Sequence, residues 1–440
     1  MTANRKKTFI FLCFIACIVL ACFNYKYNQK RLSYIIDIPI EAFDNNGNLI
    51  DKQWIKFLKK QKPVGIIFFK DHFQDKKIAK NIIDSVKNVI KEKYLFLSAD
   101  MEGGRVNRMA WQDFPSAQEI AEKYLDIKLK SGEDKAKKFV KDEYSKMFKE
   151  MQDIGLNLNF APNLDINIYN NINKNSKEYK NYKMCEKYVL LSRKPISKMT
   201  QEEKDLYSKV MMFYAYLDEV NIRNLDRLAV DGKIAKNEEF ITKIRNKWKD
   251  TSKQNKEKLI NEFEPLTKYI NYISVIGDRS YGNDVKLIAE LGEIFIDTAK
   301  QFNIKCVLKH ALGHGRTAGD THQNIEIVNT SKEQIIEDIY PYKKLINKTN
   351  FVMPSYVIYN SIDNKNTAMT SKKVVEFFHQ NVSQDVVFIG DDMSMGSFEA
   401  NKEQICNIHI KTHNKKPNDI LKFVHNNDYV KQSTLLKWFK

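Results

Sequence analysis

The chain has 440 residues, of which 43% are hydrophobic and 12% aromatic, and its formal net charge at pH 7 is +17. This much apolar surface suffices for a large core, which excludes a wholly disordered chain and a small disulfide-stapled scaffold. The charge would suit an anionic partner, but the lysines are spread along the chain, which is more typical of solvated surface.

The first segment of the chain reads as an export signal. Three basic residues at 5–7 precede an apolar run over 9–23, which is short for a bilayer span. The sequence VLAC at 19–22 resembles a bacterial lipobox, in which Cys22 becomes the lipidated first residue. We expect residues 1–22 to be a signal peptide or an uncleaved anchor, and the exported body to be tethered to a membrane.

Three of the six cysteines lie in this leader, and the others are Cys185, Cys306 and Cys406. These three are widely spaced and form no CxxC pair, so the sequence predicts neither a disulfide framework nor a cysteine-rich zinc site. We expect them to be buried thiols.

Short, continuously apolar runs alternate with lysine-rich stretches of helical period along the body. Such runs are typical of parallel strands that are covered on both faces. They lie at 64–69, 94–100, 156–162, 305–311, 351–356 and 385–392, with further strands expected near 273–278 and 406–411. About eight strands favour an α/β fold of the TIM-like (β/α)₈ barrel type over an open doubly wound sheet.

Residues 170–270 interrupt this alternation. They are rich in Lys, Glu, Asn and Tyr, contain Gly232 as their single glycine, and show helical periodicity. Their aromatic side chains can build a core of their own. We therefore expect a basic helical insertion within a single catalytic domain formed by 23–169 and 271–440.

Barrel enzymes place catalytic groups where strands end, and polar clusters follow three of the predicted strands. They are DMEGGRVNR at 100–108, KHALGHGRTAGDTH at 309–322 and DDMSM at 391–395. The second cluster holds three of the eight histidines and three of the fifteen glycines. It predicts a tightly turned loop that carries titratable groups out of a strand end.

Asp320 and His322 stand two residues apart in that loop. The carboxylate can fix the imidazole tautomer and leave the other ring nitrogen as a general acid or base, although an ordinary surface loop is the alternative. A second alternative is a metal site built from His310, His314, Asp320 and His322. The glycines between these histidines argue against the rigid helix that would align them.

Asp391 and Asp392 end the strand predicted at 385–392. One carboxylate can face the barrel mouth as a nucleophile while its neighbour turns toward the scaffold. Asp392 suits a helix cap, which leaves Asp391 as the candidate for chemistry.

Six segments resemble, in content and order, the motifs of family-3 glycoside hydrolases, most closely bacterial β-N-acetylglucosaminidases of the NagZ type. They are DMEGGRVNRM, GLNLNFAPNLDIN, IGDRSYGNDVKLIAELG, KHALGHGRTAGDTH, FVMPSYVIY and FIGDDMSMGS. The resemblance covers most of 60–165 and 272–400. It implies a TIM-like barrel with a retaining mechanism, in which Asp391 is the nucleophile and His322, paired with Asp320, is the acid/base.

The same resemblance implies contacts to a terminal N-acetylglucosamine from Asp100, Arg108, Arg279, Lys309 and His310, and no metal or organic cofactor. The chain departs from the family where Ala311-Leu312 replaces Phe-Pro, Tyr356 replaces His, Gly390 replaces Ser or Thr, and Thr321 replaces Ser. These changes bear on substrate preference and rate rather than on the fold.

The expected function is an exo-β-N-acetylglucosaminidase that acts on peptidoglycan-derived or similar glycans through a glycosyl-aspartate intermediate. One alternative is a phosphorylase of the same fold, because an imidazole does not repel incoming phosphate. Another is a catalytically weak glycan-binding lipoprotein that uses the basic insertion. Nucleic-acid binding is not expected, since the insertion balances lysine with Glu and Asp and contains no recognition module.

Overall fold

The computed structural model describes residues 30–171, 175–194, 196, 199–220, 238–317, 321, 324–400, 402–425 and 428–439. The leader with Cys22 and the pair Asp320 and His322 lie outside the described residues, so what the sequence indicates for them stays a prediction. No helix in the described part is both long and apolar enough to cross a bilayer.

The described strands are β1 (Lys30–Leu32), β2 (Tyr34–Ile36), β3 (Gly65–Ile67), β4 (Phe96–Ala99), β5 (Leu158–Asn159), β6 (Lys305–Cys306), β7 (Leu308–Ala311), β8 (Glu326–Val328), β9 (Phe351–Pro354), β10 (Val357–Tyr359), β11 (Val387–Asp392), β12 (Ile408–Lys411) and β13 (Tyr429–Lys431). Nine of them form a sheet in the order β6-β5-β4-β3-β2-β12-β11-β9-β7. All its pairs are parallel.

The two ends of this sheet are consecutive in the chain. Strands β6 and β7 are separated by Val307 alone, so the segment 305–311 pairs with β5 on one side and with β9 on the other. Because β6 and β7 together occupy one position, the nine strands close into a barrel with eight strand positions, which we call staves. The predicted (β/α)₈ fold is confirmed.

One predicted strand is wrong, and another stave was overlooked. The segment near 273–278 is not a strand, because a long helix runs to Val275 and a 3₁₀ turn follows at Gly277–Arg279. Its apolar residues Ile273 and Ile276 pack into the core of the helical insertion at a spacing of three. The eighth stave is instead β2, whose three residues are too few to register as a periodic run.

The helices are α1 (Lys52–Gln61), α2 (Lys76–Ile90), α3 (Ala117–Ser131), α4 (Glu133–Ile154), α5 (Lys177–Arg193), α6 (Gln201–Glu219), α7 (Glu238–Lys249), α8 (Lys253–Val275), α9 (Val285–Gln301), α10 (Lys332–Asp338), α11 (Tyr340–Leu345), α12 (Lys372–Asn381), α13 (Asn418–Leu421) and α14 (Gln432–Phe439). Several begin at a side-chain cap: Asp51 precedes α1, Ser116 precedes α3, and Asp284 precedes α9. Each cap accepts backbone N–H groups that the first helical turn leaves unpaired.

Helices α5 to α8 form the helical insertion and pack around a core of their own. That core contains Tyr188, Phe213 and Phe263, all buried. The insertion rests on the barrel loops, because Tyr182 stacks on Tyr169 with 5.3 Å between ring centroids and its hydroxyl accepts a hydrogen bond from the Asn167 side-chain amide at 3.0 Å.

The interior of the barrel is filled by side chains such as Ile35, Phe96 and Ile408. Its amino-terminal opening is closed by α14. The ring of Phe439 stacks on Phe96 with 4.3 Å between centroids, and Leu435 is fully buried in the interior cluster.

Candidate active site

The predicted polar side chains gather at the carboxyl end of the barrel. Asp100 directly follows β4, Lys309 and His310 lie in β7, and Asp391 lies near the end of β11. Because all eight staves are parallel, their carboxyl ends face the same mouth. The fold thus brings together residues that are up to about three hundred positions apart.

A compact group of charges forms the first part of the site. The Lys309 ammonium lies 3.0 Å from Asp100 Oδ1 and 2.6 Å from Glu102 Oε1. Arg108 donates a hydrogen bond to Asp100 Oδ2 at 3.0 Å. The Arg279 guanidinium donates to both carboxylate oxygens of Glu102, at 2.8 and 2.9 Å. We call these five side chains the charge cluster.

Glu102 belongs to this cluster although the sequence reading did not select it. Its side chain is 3% exposed and links two cations that come from distant segments, Lys309 and Arg279. A usable signal was the position of Glu102 two residues after the strand-end aspartate, since alternate residues leave a strand on the same side.

The cluster holds its carboxylates ionised. Burial alone would raise the pKa of Asp100, but the charges of Lys309 and Arg108 outweigh it and lower this pKa to about 2. Burial likewise opposes ionisation of Glu102, and Arg279 with Lys309 hold its pKa well below the usual range. The site therefore presents fixed, ordered charges to a polar ligand.

A buried carboxylate, Asp165, organises the second part of the site. Its Oδ2 lies 2.7 Å from His310 Nδ1, and its Oδ1 accepts the backbone N–H groups of His310 and His314 at 3.3 and 2.6 Å. Burial raises its pKa, but His310 and the His314 N–H outweigh this and lower it. Asp165 thereby fixes the imidazole of His310 and the start of the glycine-rich loop.

Asp165 was also missed by the sequence reading, although it stands in the quoted motif GLNLNFAPNLDIN. The available signal was an acidic residue just beyond a buried strand, β5. What the sequence does not reveal is its partner, which lies 145 residues away.

His314 is buried, and both of its ring nitrogens are hydrogen-bonded. Thr317 and Thr321 hydroxyls lie 2.8 and 2.9 Å from its two ring nitrogens. Burial, the largest effect, lowers its pKa to about 4, so this imidazole is neutral at pH 7. Within the described part of the chain, no group of three His, Cys, Asp or Glu side chains is arranged to hold a metal ion.

The two aspartates at the end of β11 have different surroundings. Asp392 is bound to the scaffold, since its carboxylate accepts the backbone N–H groups of Ser394 and Thr412 and the Thr412 hydroxyl. The Asp391 carboxylate accepts the N–H of Asp392 at 2.8 Å, and the Tyr356 hydroxyl donates to the Asp391 carbonyl at 3.4 Å. Asp391 is half-buried at the mouth.

The departure at Gly390 has a steric reason. A Cβ atom at this position would lie 2.7 Å from Met369 Cε and 3.3 Å from Cys406 Sγ. The space that Ser or Thr would need is therefore filled from behind by sulfur-containing side chains.

A family model described as the N-terminal domain of glycosyl hydrolase family 3 matches residues 41–211 and 265–409, more than half of the chain. Curated relatives include beta-hexosaminidases of Glaesserella parasuis, 32% identical over 136 residues, and of Haemophilus influenzae, 30% identical over 136 residues. Each match covers 30% of this chain and 40% or 39% of the relative, so it spans about two fifths of their length.

Solved structures with a similar fold include NagZ from Neisseria gonorrhoeae in complex with N-trifluoroacetyl-D-glucosamine. It superposes with a TM-score of 0.58 at 18% identity, covering 94% of this chain and 91% of that one. A family-3 β-N-acetylglucosaminidase from Paenibacillus sp. superposes with a TM-score of 0.55 at 15% identity, covering 92% and 60%. These likenesses extend over nearly the whole described chain.

Proposed function

Because this chain belongs to glycosyl hydrolase family 3, we propose that it is a retaining exo-β-N-acetylglucosaminidase. Its substrate is an amino-sugar glycan, with peptidoglycan fragments as the expected source. The observation that carries the proposal is the charge cluster at the carboxyl end of the barrel, the same end at which β11 terminates with Asp391.

The charge cluster would bind the terminal sugar. Asp100 accepts hydrogen bonds from sugar hydroxyls, while Lys309 and Arg108 hold its oxygens in place and donate further hydrogen bonds. His310, fixed through Asp165, offers its second ring nitrogen to the same sugar. Because these groups are ordered before binding, little reorganisation accompanies the charge that develops on the ring.

The chemistry requires two groups on either side of the glycosidic bond. The Asp391 carboxylate attacks the anomeric carbon as the bond to the leaving oxygen breaks, and a glycosyl ester forms. In this proposal His322, oriented by Asp320, gives a proton to the leaving oxygen. It then takes a proton from the water that hydrolyses the ester.

The proposal is tested with Asp391→Asn. Loss of the nucleophile should reduce turnover of an aryl N-acetylglucosaminide by at least about 10⁴-fold. Asp142→Asn on an exposed face of α4 is the matched control and should keep the wild-type rate. Near wild-type turnover by Asp391→Asn would refute the assignment.

The covalent step has its own test. Incubation with a 2-acetamido-2-deoxy-5-fluoro glycoside should add one sugar mass to the wild-type chain, and peptide mapping should place it on Asp391. A chain that turns over the aryl glycoside without ever accumulating the adduct, or that carries it on another residue, would contradict a nucleophilic role for Asp391.

We also propose that the chain is exported and tethered through a lipid on Cys22. Metabolic labelling with a tagged fatty acid should mark the wild-type chain and leave Cys22→Ser unlabelled. Labelling of both would locate the lipid on another residue, and labelling of neither would indicate a retained, unacylated anchor.

A further inference from the structure

A deep groove lies on the outer wall of the barrel, away from the catalytic mouth. Its volume is about 970 Å³, and its lining includes Tyr34, His409, Asp428 and Trp438. Neither Asp391 nor any member of the charge cluster lines it. We call this cavity the wall groove.

The wall groove exists because two barrel units lack a long covering helix. Elsewhere α2, α9 and α12 pack on the outside of the staves. After β11, by contrast, residues 393–400 and 402–407 form neither helix nor strand, and after β12 the short α13 is the one helix described before β13. Tyr34 and His409 lie on the outer face of β2 and β12, buried beneath the groove that they help to line.

The floor of the wall groove is a connected polar group. Tyr34 donates its hydroxyl to Asp428 Oδ2 at 3.1 Å, and its ring lies 5.1 Å from that of His409. Asp428 Oδ1 is 3.8 Å from His409 Nε2, too far for a hydrogen bond. A ligand hydroxyl about 2.8 Å from each atom, to one side of the line that joins them, would bridge the two groups.

Two buried polar atoms in the lining have no hydrogen-bond partner among the described residues. They are His409 Nδ1 and Gln404 Oε1. His409 is 8% exposed, and burial lowers its pKa, so its ring is neutral and has one donor and one acceptor nitrogen. An unpaired buried polar atom destabilises the folded chain, and a ligand that pairs with it removes that penalty.

The chemistry of the lining selects a class of ligand. Gln404 Oε1 and Asp428 Oδ1 are acceptors and therefore require donors. The lining carries Lys402, Lys422 and Lys431 against the carboxylates Glu403 and Asp428, so neutral donors such as hydroxyl groups are favoured over cationic ones. Aromatic rings also line the groove, at Phe398, Phe423 and Trp438. Their apolar faces suit the C–H faces of a sugar.

We propose that the wall groove is a second, non-catalytic saccharide-binding site. Its volume lies within the roughly 300–1,000 Å³ that is usual for small-molecule sites and accommodates one or two sugar rings. A glycan held there would be retained on the enzyme while another chain end enters the mouth. The inference stands on the lining of the groove and does not require the proposed activity.

The test counts bound ligand by isothermal titration of the full chain carrying Asp391→Asn, which prevents turnover. With N,N′-diacetylchitobiose we expect two molecules per chain, one at the mouth and one in the wall groove. Adding His409→Leu and Gln404→Leu removes both unpaired polar atoms and should reduce the count by one. Gln301→Leu, on the exposed surface of α9, is the matched control and should leave the count unchanged.

Failure of this inference is distinguishable from failure of the proposed function. If the mouth binds no sugar, the double leucine substitution should still reduce the count, from one to zero. A count that the substitution leaves unchanged would overturn the inference. If the leucine variant fails to fold, Ala400→Trp fills the groove from its exposed edge and should give the same loss.

Discussion

At the scale of single residues, the site is organised by carboxylates that do not themselves carry the proposed reaction. Glu102 joins Lys309 to Arg279, and Asp165 joins His310 to the backbone of the following loop. Each acts through a neighbour that is expected to touch the sugar. They are therefore positioning residues, and their substitution should affect binding geometry more than the identity of the chemistry.

Glu102→Gln tests this role. Two buried cations would lose their shared counter-charge, and we expect kcat/KM to fall about 100-fold as Arg279 and Lys309 shift. The free energy of unfolding should fall by about 3–5 kcal/mol, because a buried ion pair is broken on one side. Kinetics and denaturant titration measure the two effects, with Asp142→Asn as the exposed control. Unchanged kcat/KM would mean that the cluster does not position the sugar.

His314 gives the fold a defined pH dependence. Its pKa of about 4 in the folded chain lies below the ordinary value of 6.5, so the unfolded chain binds this proton first as pH falls. The neutral His314 imidazole therefore makes its full contribution to the free energy of unfolding above about pH 6.5. That free energy falls by about 3 kcal/mol as the pH drops to 4. His314→Gln should flatten the pH profile of the unfolding free energy in this window. A profile parallel to that of the wild type would contradict this explanation.

Strand-end reasoning found Asp100, Lys309 and Asp391, because each directly ends or follows an apolar run. It did not find Glu102 or Asp165. Their importance depends on partners 177 and 145 residues away, and one sequence does not reveal which distant segments the barrel brings together.

At the scale of elements, the site depends on how the loop after β7 leaves the barrel. Gly315 passes so close to the chain that a Cβ atom would lie 2.0 Å from the carbonyl oxygen of Ile166. Because that neighbour is backbone, it has little freedom to move aside. The path of the loop toward the segment with Asp320 and His322 is therefore restricted at this point.

Gly315→Ala should displace the loop. We expect kcat/KM to fall at least about 10-fold and the unfolding free energy to fall by about 1–3 kcal/mol. Gly132→Ala, between α3 and α4, is the control for kcat/KM: its Cβ would meet nothing within 4 Å, while its φ of +91° and ψ of 164° strain the backbone and so also lower stability. Steady-state kinetics measures kcat/KM, and thermal melting measures the stability of each variant. Equal kcat/KM for both variants would show that the loop tolerates displacement.

The elements also indicate where sequence periodicity is informative. Short segments rich in apolar or β-branched residues correctly marked seven of the eight staves. The end of α8 resembled a strand because the buried face of its last turn and the following residues, Ile273, Val275 and Ile276, gives a short dense apolar run. Strand β2 was missed because three residues provide no period.

At the scale of the whole molecule, the barrel is closed at its amino-terminal end by the last residues of the chain. Leu435 is fully buried there, and Phe439 stacks on Phe96. The carboxyl end carries the proposed site. Stability and activity are thus assigned to opposite ends of the same barrel.

Leu435→Ala tests this separation. The cavity it creates should lower the unfolding free energy by about 2–5 kcal/mol, while kcat/KM of the folded fraction stays unchanged. Lys437→Ala, exposed on the same helix, should change stability by less than about 0.5 kcal/mol. Chemical denaturation and initial rates at a temperature below both transitions provide the comparison. A large fall in kcat/KM for Leu435→Ala would show that the two ends are coupled.

The helical insertion has a consequence for anyone who exchanges parts between related barrels. Arg279 comes four residues after the final residue of α8 and donates to the carbonyl of that residue, Val275, at 2.7 Å. Lengthening or shortening α8 by one residue would rotate its end by about 100° and carry the guanidinium away from Glu102. A graft that preserves every residue of the barrel but alters the phase of this helix would therefore separate Arg279 from Glu102 and leave that buried carboxylate with Lys309 as its remaining cation.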